Sequence, residues 1–545
     1  MISDDLSFYL LIAITSMAIS MAIIPVMMRF APYLGMVDSP DERKVHTSAI
    51  PRSGGIGIVV GILVPLFIWQ NLSDFTMSFI VGCLVLLVFG AWDDAKNIRP
   101  AYKFIGQLLA AMIVVFYGDI YVHHFPFIGE IDIPAYFGKP FTVIAIVGMI
   151  NALNLSDGLD GLAGGEALIS LAAIIYLAYL FEGDVAMAIA AATIGGIFGF
   201  LRFNSHPARI FMGDAGSQTL GFVLAVLAVH LTQQVAPIAS PVVALLLLGL
   251  PIIDSIVVFY LRARRGDSLV VAAKDHLHHR LLARGFHHYE SVMIIYSIQI
   301  ILVASAALLP YESDLLLICI YLGLCVLLFS IINYSERAAW YAHRKKSESS
   351  TLLSEVLEGR QNLLILPYRL LKAGMSLFII SAAVMSTEVP IDLGVSSLVL
   401  FILLLLAITS NWFGDNLYRL LMFVTMGFSV YLLSTYPPYW LLEQISLVYI
   451  YFVIITVVSF ISIRITVKDQ FQITPLDYLV VILAVIVGFA PGIDHGSSSM
   501  IWMVIQLIVL FYACELVIQN MKSQFNSLTG AAGVALVLIA FRGLV

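Results

Sequence analysis

Apolar runs recur along the whole 545-residue chain, each about 17–23 residues long, the length a helix needs to cross a bilayer. They predict spans near 8–29, 54–70, 76–91, 103–121, 141–154, 163–181, 185–201, 217–233, 240–261, 291–309 and 313–332. These eleven are followed by a polar stretch at 333–362, "NYSERAAWYAHRKKSESSTLLSEVLEGRQN". About seven further spans then reach the C-terminus. The pattern predicts an all-α polytopic membrane protein in two parts, a first module over 1–332 and a second over 363–545, joined by a linker at 333–362. The segment "VHHFPFIGEIDIPAYFGKP" between the fourth and fifth spans alternates and turns as a small β-hairpin does.

The basic residues fix an orientation. With the N-terminus outside, the inner loops and the linker carry twenty Lys and Arg, among them Arg52, Lys96, Arg99, Lys103, Arg202, Arg209, Arg262 and Arg280, whereas the outer loops of the first eleven spans carry Lys139 alone. Such a bias marks the cytoplasmic side. The expected place is therefore the plasma (inner) membrane, crossed many times, with the linker in the cytoplasm.

Composition agrees. Apolar residues make up 61% of the chain and charged residues 12%, about half the charged share of a soluble domain. A net charge of −7 gives no sign of nucleic-acid binding. Cys83, Cys319, Cys325 and Cys514 all lie in apolar runs without metal-ligand spacing. They read as small hydrophobes.

The chemistry lies in five polar clusters on the inner side: "DSPDERKVHTSAIPRSGGI" at 38–56, "GAWDDAKNIRPAYKFIGQ" at 90–107, "NALNLSDGLDGLAGG" at 151–165, "RFNSHPARIFMGDAGSQTLGF" at 202–222 and "AAKDHLHHRLLARGFHH" at 272–288. Taken singly, each has a plain reading. "WDD" suits a solvated helix end, "SDGLDG" and "FMGDAGS" suit tight turns, and "HLHHR" suits a basic surface. Their recurrence on one face, each where a span meets water, points further. Hard carboxylate oxygens beside glycines that allow close backbone approach suit Mg²⁺ and a phosphorylated substrate. Arginines and histidines add neutralising charge. Asp254, in "LGLPIIDSIVVFYLR", is an intramembrane acid three residues after Pro251. It is either functional or bonded to backbone freed by a proline kink.

In that order, "HTSAIPRSGGI", "WDD", "NLSDGLDGLAGG", "FNSHPARIFMGDAGS" and "HLHHR" resemble the motifs of the polyprenyl-phosphate N-acetylhexosamine-1-phosphate transferases. These are relatives of the phospho-N-acetylmuramoyl-pentapeptide transferase. The resemblance covers about residues 1–330. The histidine spacing looks more like the branch acting on UDP-N-acetylglucosamine than the peptidoglycan branch, which shows three adjacent histidines.

The resemblance implies an enzyme in which undecaprenyl phosphate attacks the β-phosphorus of a UDP-N-acetylhexosamine. UMP leaves, and cell-surface polysaccharide synthesis begins. It implies Mg²⁺, with Mn²⁺ as substitute. Asp93 and Asp94 are expected to hold the carrier phosphate or the metal, and Asp214 to be a metal ligand. Asn154, Asp157 and Asp160 are expected to shape the metal and nucleotide pocket, with Asp157 and Asp160 sharing it. His276, His278 and His279 belong near the diphosphate, Lys103 at the carrier phosphate, and Arg52 and His46 to the first motif. Expected partners are the lipid bilayer, a second copy of the chain and later glycosyltransferases.

Two chemical routes fit: a covalent carboxyl–phosphate intermediate, or direct attack by a carrier phosphate that is already largely dianionic, its second pKa being about 6. The rival class is a transporter. Transporters place polar groups near the midplane in repeated halves, whereas these acids gather at one face and no repeat is visible.

Overall fold

The computed structural model describes residues 2–38, 49–128, 131–266, 275–338, 341–342, 361–409, 414–443, 445–465, 498–519 and 527–544. It is helical almost throughout and divides into two compact units, Met1–Lys345 and most of the chain that follows.

The first unit contains α1 (Ile2–Leu34), α2 (Gly54–Trp69), α3 (Asp74–Lys96), α4 (Pro100–Met112), α5 (Ala135–Ser156), α6 (Leu162–Leu180) and α7 (Asp184–Asn204). It continues with α8 (Gly213–His230), α9 (Val242–Leu247), α10 (Gly249–Arg265), α11 (Leu277–Ala283), α12 (His288–Leu308) and α13 (Asp314–Arg337). Nine of the eleven expected spans are helices long and apolar enough to cross a membrane. The span expected at 54–70 is the shorter apolar helix α2. The one expected at 240–261 is broken into α9 and α10 around Leu248. Both α4 and α8 end in a wider π turn, over Ile113–Tyr117 and Leu231–Val235.

Helix α8 is the centre of this unit. It is buried along nearly its whole length and packs against α2, α3 and α5. Helix α1 lies along α7, where Ser16 and Ser20 donate to the Ala192 and Gly196 carbonyls at 2.6 and 3.0 Å. Small hydroxyl residues let two helices approach closely where lipid offers no hydrophobic drive.

The hairpin expected at 122–140 shows no strand among its described residues. Among the described residues the one sheet is the antiparallel pair β1 (Val37–Asp38) and β2 (Ile50–Pro51). In the segment, a bond from the Ile133 N–H to the His123 carbonyl (2.8 Å) links its two sides, and α5 already starts at Ala135. Pro126 and Pro134 offer no N–H for a ladder, and a proline before the first turn favours a helix start. The linker is also shorter than expected at its start, because α13 runs on to Arg337.

The second unit was expected to hold about seven spans. Its described long helices are Gln361–Met385, Ile391–Thr409, Gly414–Thr435, Ile445–Ile465, Ser498–Gln519 and Ser527–Leu544. Residues 466–497 lie outside the described residues. Leu371, Met375, Ile379, Met422, Met426, Cys514 and Leu536 form its core. Arg542 donates to the Ala383 and Val384 carbonyls at 2.7 and 3.1 Å and to Ser386. A cation there satisfies the free carbonyls at the end of the helix Gln361–Met385.

Candidate active site

The C-terminal ends of α3 and α5 and the N-terminal ends of α4 and α8 meet at one end of the first unit. Lys103, in the first turn of α4, lies between two carboxylates. Its Nζ is 2.7 Å from Asp93 Oδ2 and 2.8 Å from Asp214 Oδ2. The other Asp214 oxygen accepts from Asn154 (3.2 Å), and Gln218 donates to Oδ2 (2.9 Å). Asn154 also donates to Ser217 at 2.8 Å. Asp93 is 4% exposed, and its Oδ1 is buried with no hydrogen-bond partner. A buried carboxylate oxygen left unpaired is costly, so this atom marks where a cation would be accommodated.

Asp94 has a different task. Its two oxygens accept the N–H groups of Asp214 (2.8 Å) and Ala215 (3.1 Å). These are first-turn donors of α8, which have no partner within their own helix. A carboxylate at a helix N-terminus also complements the dipole. Gly213 precedes Asp214 at φ +68°, and a Cβ there would fall 2.5 Å from the Arg52 carbonyl and 2.6 Å from the Asp94 oxygens. Only glycine fits this corner. Arg52 donates to the Asp94 carbonyl (3.3 Å) and to Asn97 (3.2 Å). The segment around it is bonded to the "FMGD" loop, Phe211 N–H to the Pro51 carbonyl (2.7 Å) and Gly54 N–H to the Phe211 carbonyl (3.0 Å). The first and fourth motifs are therefore one construction. His46 lies outside the described residues.

The third motif divides. Burial, with the Asp214 and Asp160 carboxylates nearby, pushes the Asp157 acid up to about 7. Asp160 turns the other way. It accepts from His206 Nδ1 (2.6 Å) and the Ala208 N–H (3.1 Å). Burial alone would raise its pKa, but these bonds outweigh it and hold the carboxyl below the usual range. The two acids do not share one set of partners. The His206 ring stacks on His288 at 4.1 Å. The loop between them is held by Asn204, which accepts from the Gly161 N–H (2.8 Å), and by Tyr296, which donates to the Gly161 carbonyl (2.7 Å).

The histidine motif packs against the third motif. Asp254 accepts from His276 Nδ1 and from the Leu277 N–H, both at 2.8 Å, and so seats α11 on α10. His278 is 2% exposed and crosses Gly158 so closely that a Cβ there would lie 2.1 Å from its Nε2. Burial first, and then His279 and His276, lower its pKa to about 3. It is therefore a neutral imidazole at physiological pH. His279 packs beside it, ring centroids 4.1 Å apart. Arg280 reaches α13, bonding Glu336 (2.9 Å) and Asn333 (2.6 Å).

Asp93, Asp94, Lys103, Asn154, Asp214 and Arg52 thus form one cluster. Asp157 borders it, and Asp160 and the histidines flank it. The sequence reading missed several supporting residues. Gln107, Asn151 and Gln218 form an amide chain next to Asp214, with Asn151 donating to Gln107 at 2.7 Å and Gln107 to Gln218 at 3.3 Å. Glu166 is buried and accepts from Ser156 at 2.7 Å. Gln107, Asn151 and Gln218 lie within the polar clusters quoted above and Glu166 one residue beyond the third; a polar group on a membrane helix was the available signal, since it is costly there.

Helices that cross a membrane and converge on a carboxylate–lysine cluster at one end define an integral membrane enzyme acting on an anionic substrate. Residues 76–232 match the model of glycosyl transferase family 4. The chain is 34% identical over 321 residues to a Bacillus subtilis protein named "Probable undecaprenyl-phosphate N-acetylglucosaminyl 1-phosphate transferase". That alignment covers 58% of this chain and 88% of the relative. It is 30% identical over 323 residues to the undecaprenyl-phosphate alpha-N-acetylglucosaminyl 1-phosphate transferase of Escherichia coli K12, with the same coverage. It is 34% identical over 300 residues to the decaprenyl-phosphate N-acetylglucosaminephosphotransferase of Mycobacterium tuberculosis, covering 49% of this chain and 74% of that one. The chain belongs to the polyprenyl-phosphate N-acetylhexosamine-1-phosphate transferases of glycosyl transferase family 4.

Proposed function

We propose that the protein transfers N-acetylglucosamine-1-phosphate from UDP-N-acetylglucosamine to undecaprenyl phosphate, releasing UMP, at the cytoplasmic face of the plasma membrane. The observation that carries this reading is the Asp93–Lys103–Asp214 cluster, at a bundle end where a soluble nucleotide and a lipid-borne phosphate can both arrive. The names of the relatives support the sugar and the carrier. The basic bias of the loops at this end supplies the side of the membrane.

The donor set fits Mg²⁺. Asp93 Oδ1 is unpaired and the Asp214 carboxylate lies across Lys103 from it, a hard-oxygen arrangement to which substrate phosphates would add. Bound there, Mg²⁺ would screen phosphate charge. Asp93 and Asp214 would hold it. Asp94 supports a positioning part instead, since both its oxygens serve the α8 N-terminus.

The chemistry is direct. A carrier phosphate oxygen forms a bond to the β-phosphorus. The bond from the β-phosphorus to the oxygen shared with the α-phosphorus breaks, and the electron pair leaves with UMP. No proton need be removed from a dianionic phosphate. The work left to the chain is alignment and electrostatics. Lys103 offers its ammonium to incoming phosphate, and Asn154 and Gln218 fix the orientation of Asp214. Neutral His278 can exchange hydrogen bonds with substrate without adding charge.

Purified protein given undecaprenyl phosphate, Mg²⁺ and a panel of UDP-sugars should release UMP with UDP-N-acetylglucosamine. Release with another sugar alone, or no release with any, would reject this reading.

A further inference from the structure

A second histidine–carboxylate group lies at the opposite end of the first unit, between the end of α4 and the start of α5. His123, His124 and Asp132 each offer a ligand atom, and these atoms lie within 4.8 Å of one another. From their geometry we infer that this segment binds a borderline divalent cation, of which Zn²⁺ is the type, and that the ion clips the segment closed.

The backbone is already fixed for it. The N–H groups of His123 and His124 both donate to Oε1 of Gln233, at 3.0 and 2.9 Å. Gln233 itself is 4% exposed and sits in the π turn that ends α8. The Val122 N–H donates to Thr142 (2.8 Å), and the Ile133 N–H to the His123 carbonyl (2.8 Å). Two consecutive residues are thus held rigidly while their rings are weakly engaged. His123 Nδ1 is 3.3 Å from the Tyr121 carbonyl, and His124 Nδ1 is 3.3 Å from Asp132 Oδ1. Both distances are long for hydrogen bonds.

The rings are 4.4 Å apart and inclined at 54°, with one ligand atom of each within 4.8 Å of the other and of an Asp132 oxygen. The other histidine–acid cluster, Asp160, His206 and His288, differs. Its two rings lie 19° from parallel, and His206 Nδ1 is already engaged by Asp160 at 2.6 Å. Two imidazoles and a carboxylate select zinc or its neighbours over Mg²⁺ or Ca²⁺. Zinc bonds of about 2.0–2.1 Å require the three atoms to draw closer than they stand. Asp132, whose side chain is 72% exposed, is free to make that movement.

The test uses full-length protein in detergent, stripped with chelator and then equilibrated with Zn²⁺ against a chromogenic competitor. Wild type should retain one more Zn²⁺ per chain than the His123→Ala/His124→Ala variant. Co²⁺ in its place should give a visible absorption that the variant lacks. Asp132→Asn, at an exposed position where folding is undisturbed, should bind Zn²⁺ at least tenfold more weakly. Both proteins are to elute as monodisperse as wild type. Equal zinc content in wild type and the double variant, or an unchanged affinity in Asp132→Asn, would overturn the inference.

Discussion

The two units are built from the same material and bury different things. In the first, Asp93, Asp94, Glu166, Asp254, Arg262 and Arg280 are all buried. In the second, the buried polar side chains among the described residues are hydroxyls and one amide, such as Ser397, Thr425, Ser429 and Gln506, and none is charged. Thr425 and Ser429 simply return their hydrogens to carbonyls one turn back, at 2.8 and 2.9 Å. Burying a charge costs several kcal/mol unless it is paired and hydrogen-bonded. Each such group in the first unit therefore needs a partner, as Asp94 finds in the α8 N-terminus and Asp254 in His276. Among the described residues, the buried ionisable side chains thus gather in the first unit.

The sharpest way to break this comparison is at Asp214, which holds Lys103, Asn154 and Gln218 at once. Asp214→Asn should lower UMP release about a hundred- to a thousandfold, with the protein still monodisperse. Near-normal turnover would mean that the buried charges are structural. Gly213→Ala comes next. Its Cβ would strike the Asp94 carboxylate and the Arg52 carbonyl, and its φ of +68° is strained for alanine. A loss of about 1–3 kcal/mol of stability, read as a lower melting temperature, should accompany reduced turnover. An unchanged melting temperature would show that the corner is looser than described.

A smaller effect tests the electrostatics. The Asp157 acid is pushed up to about 7, so it holds its proton below that pH and releases it above. A cation favours the ionised form. Mg²⁺ affinity of the substrate-free protein should therefore rise by up to about tenfold per pH unit towards 7 and then level off. Asp157→Asn should flatten the rise in calorimetric titrations, and an equally steep profile in that variant would assign it to another group. The smallest effect is expected from the second unit. A chain ending near Ser350 should keep its turnover per folded molecule and its sugar preference. A truncated protein that binds nucleotide but does not turn over would give the second unit a part in catalysis.

Much of this was legible before any coordinates. Apolar run lengths located the helices of the first unit because a bilayer imposes one length on all of them. The loop acids could be gathered at one end because spans alternate in direction. What spacing does not carry is distance between elements. Asp157 and Asp160, three residues apart, looked like one site, yet Asp160 is taken by His206 from a loop after α7. Asp94 looked like the twin of Asp93, and only the fold brings the α8 N-terminus onto it. Asp254 was balanced between function and a proline kink. Its bonds to His276 and Leu277 show that it seats the histidine motif. Alternation at 122–140 makes no strand among the described residues, because Pro126 and Pro134 cannot donate to a ladder.

The central claim is that sugar-1-phosphate transfer occurs at the Asp93–Lys103–Asp214 cluster. It is tested most directly by counting UMP released per molecule of undecaprenyl phosphate consumed, with UDP-N-acetylglucosamine and Mg²⁺, for wild type and for Asp93→Asn. The account predicts a ratio of one for wild type and loss of release in a folded variant. UMP release by Asp93→Asn at the wild-type rate would contradict it.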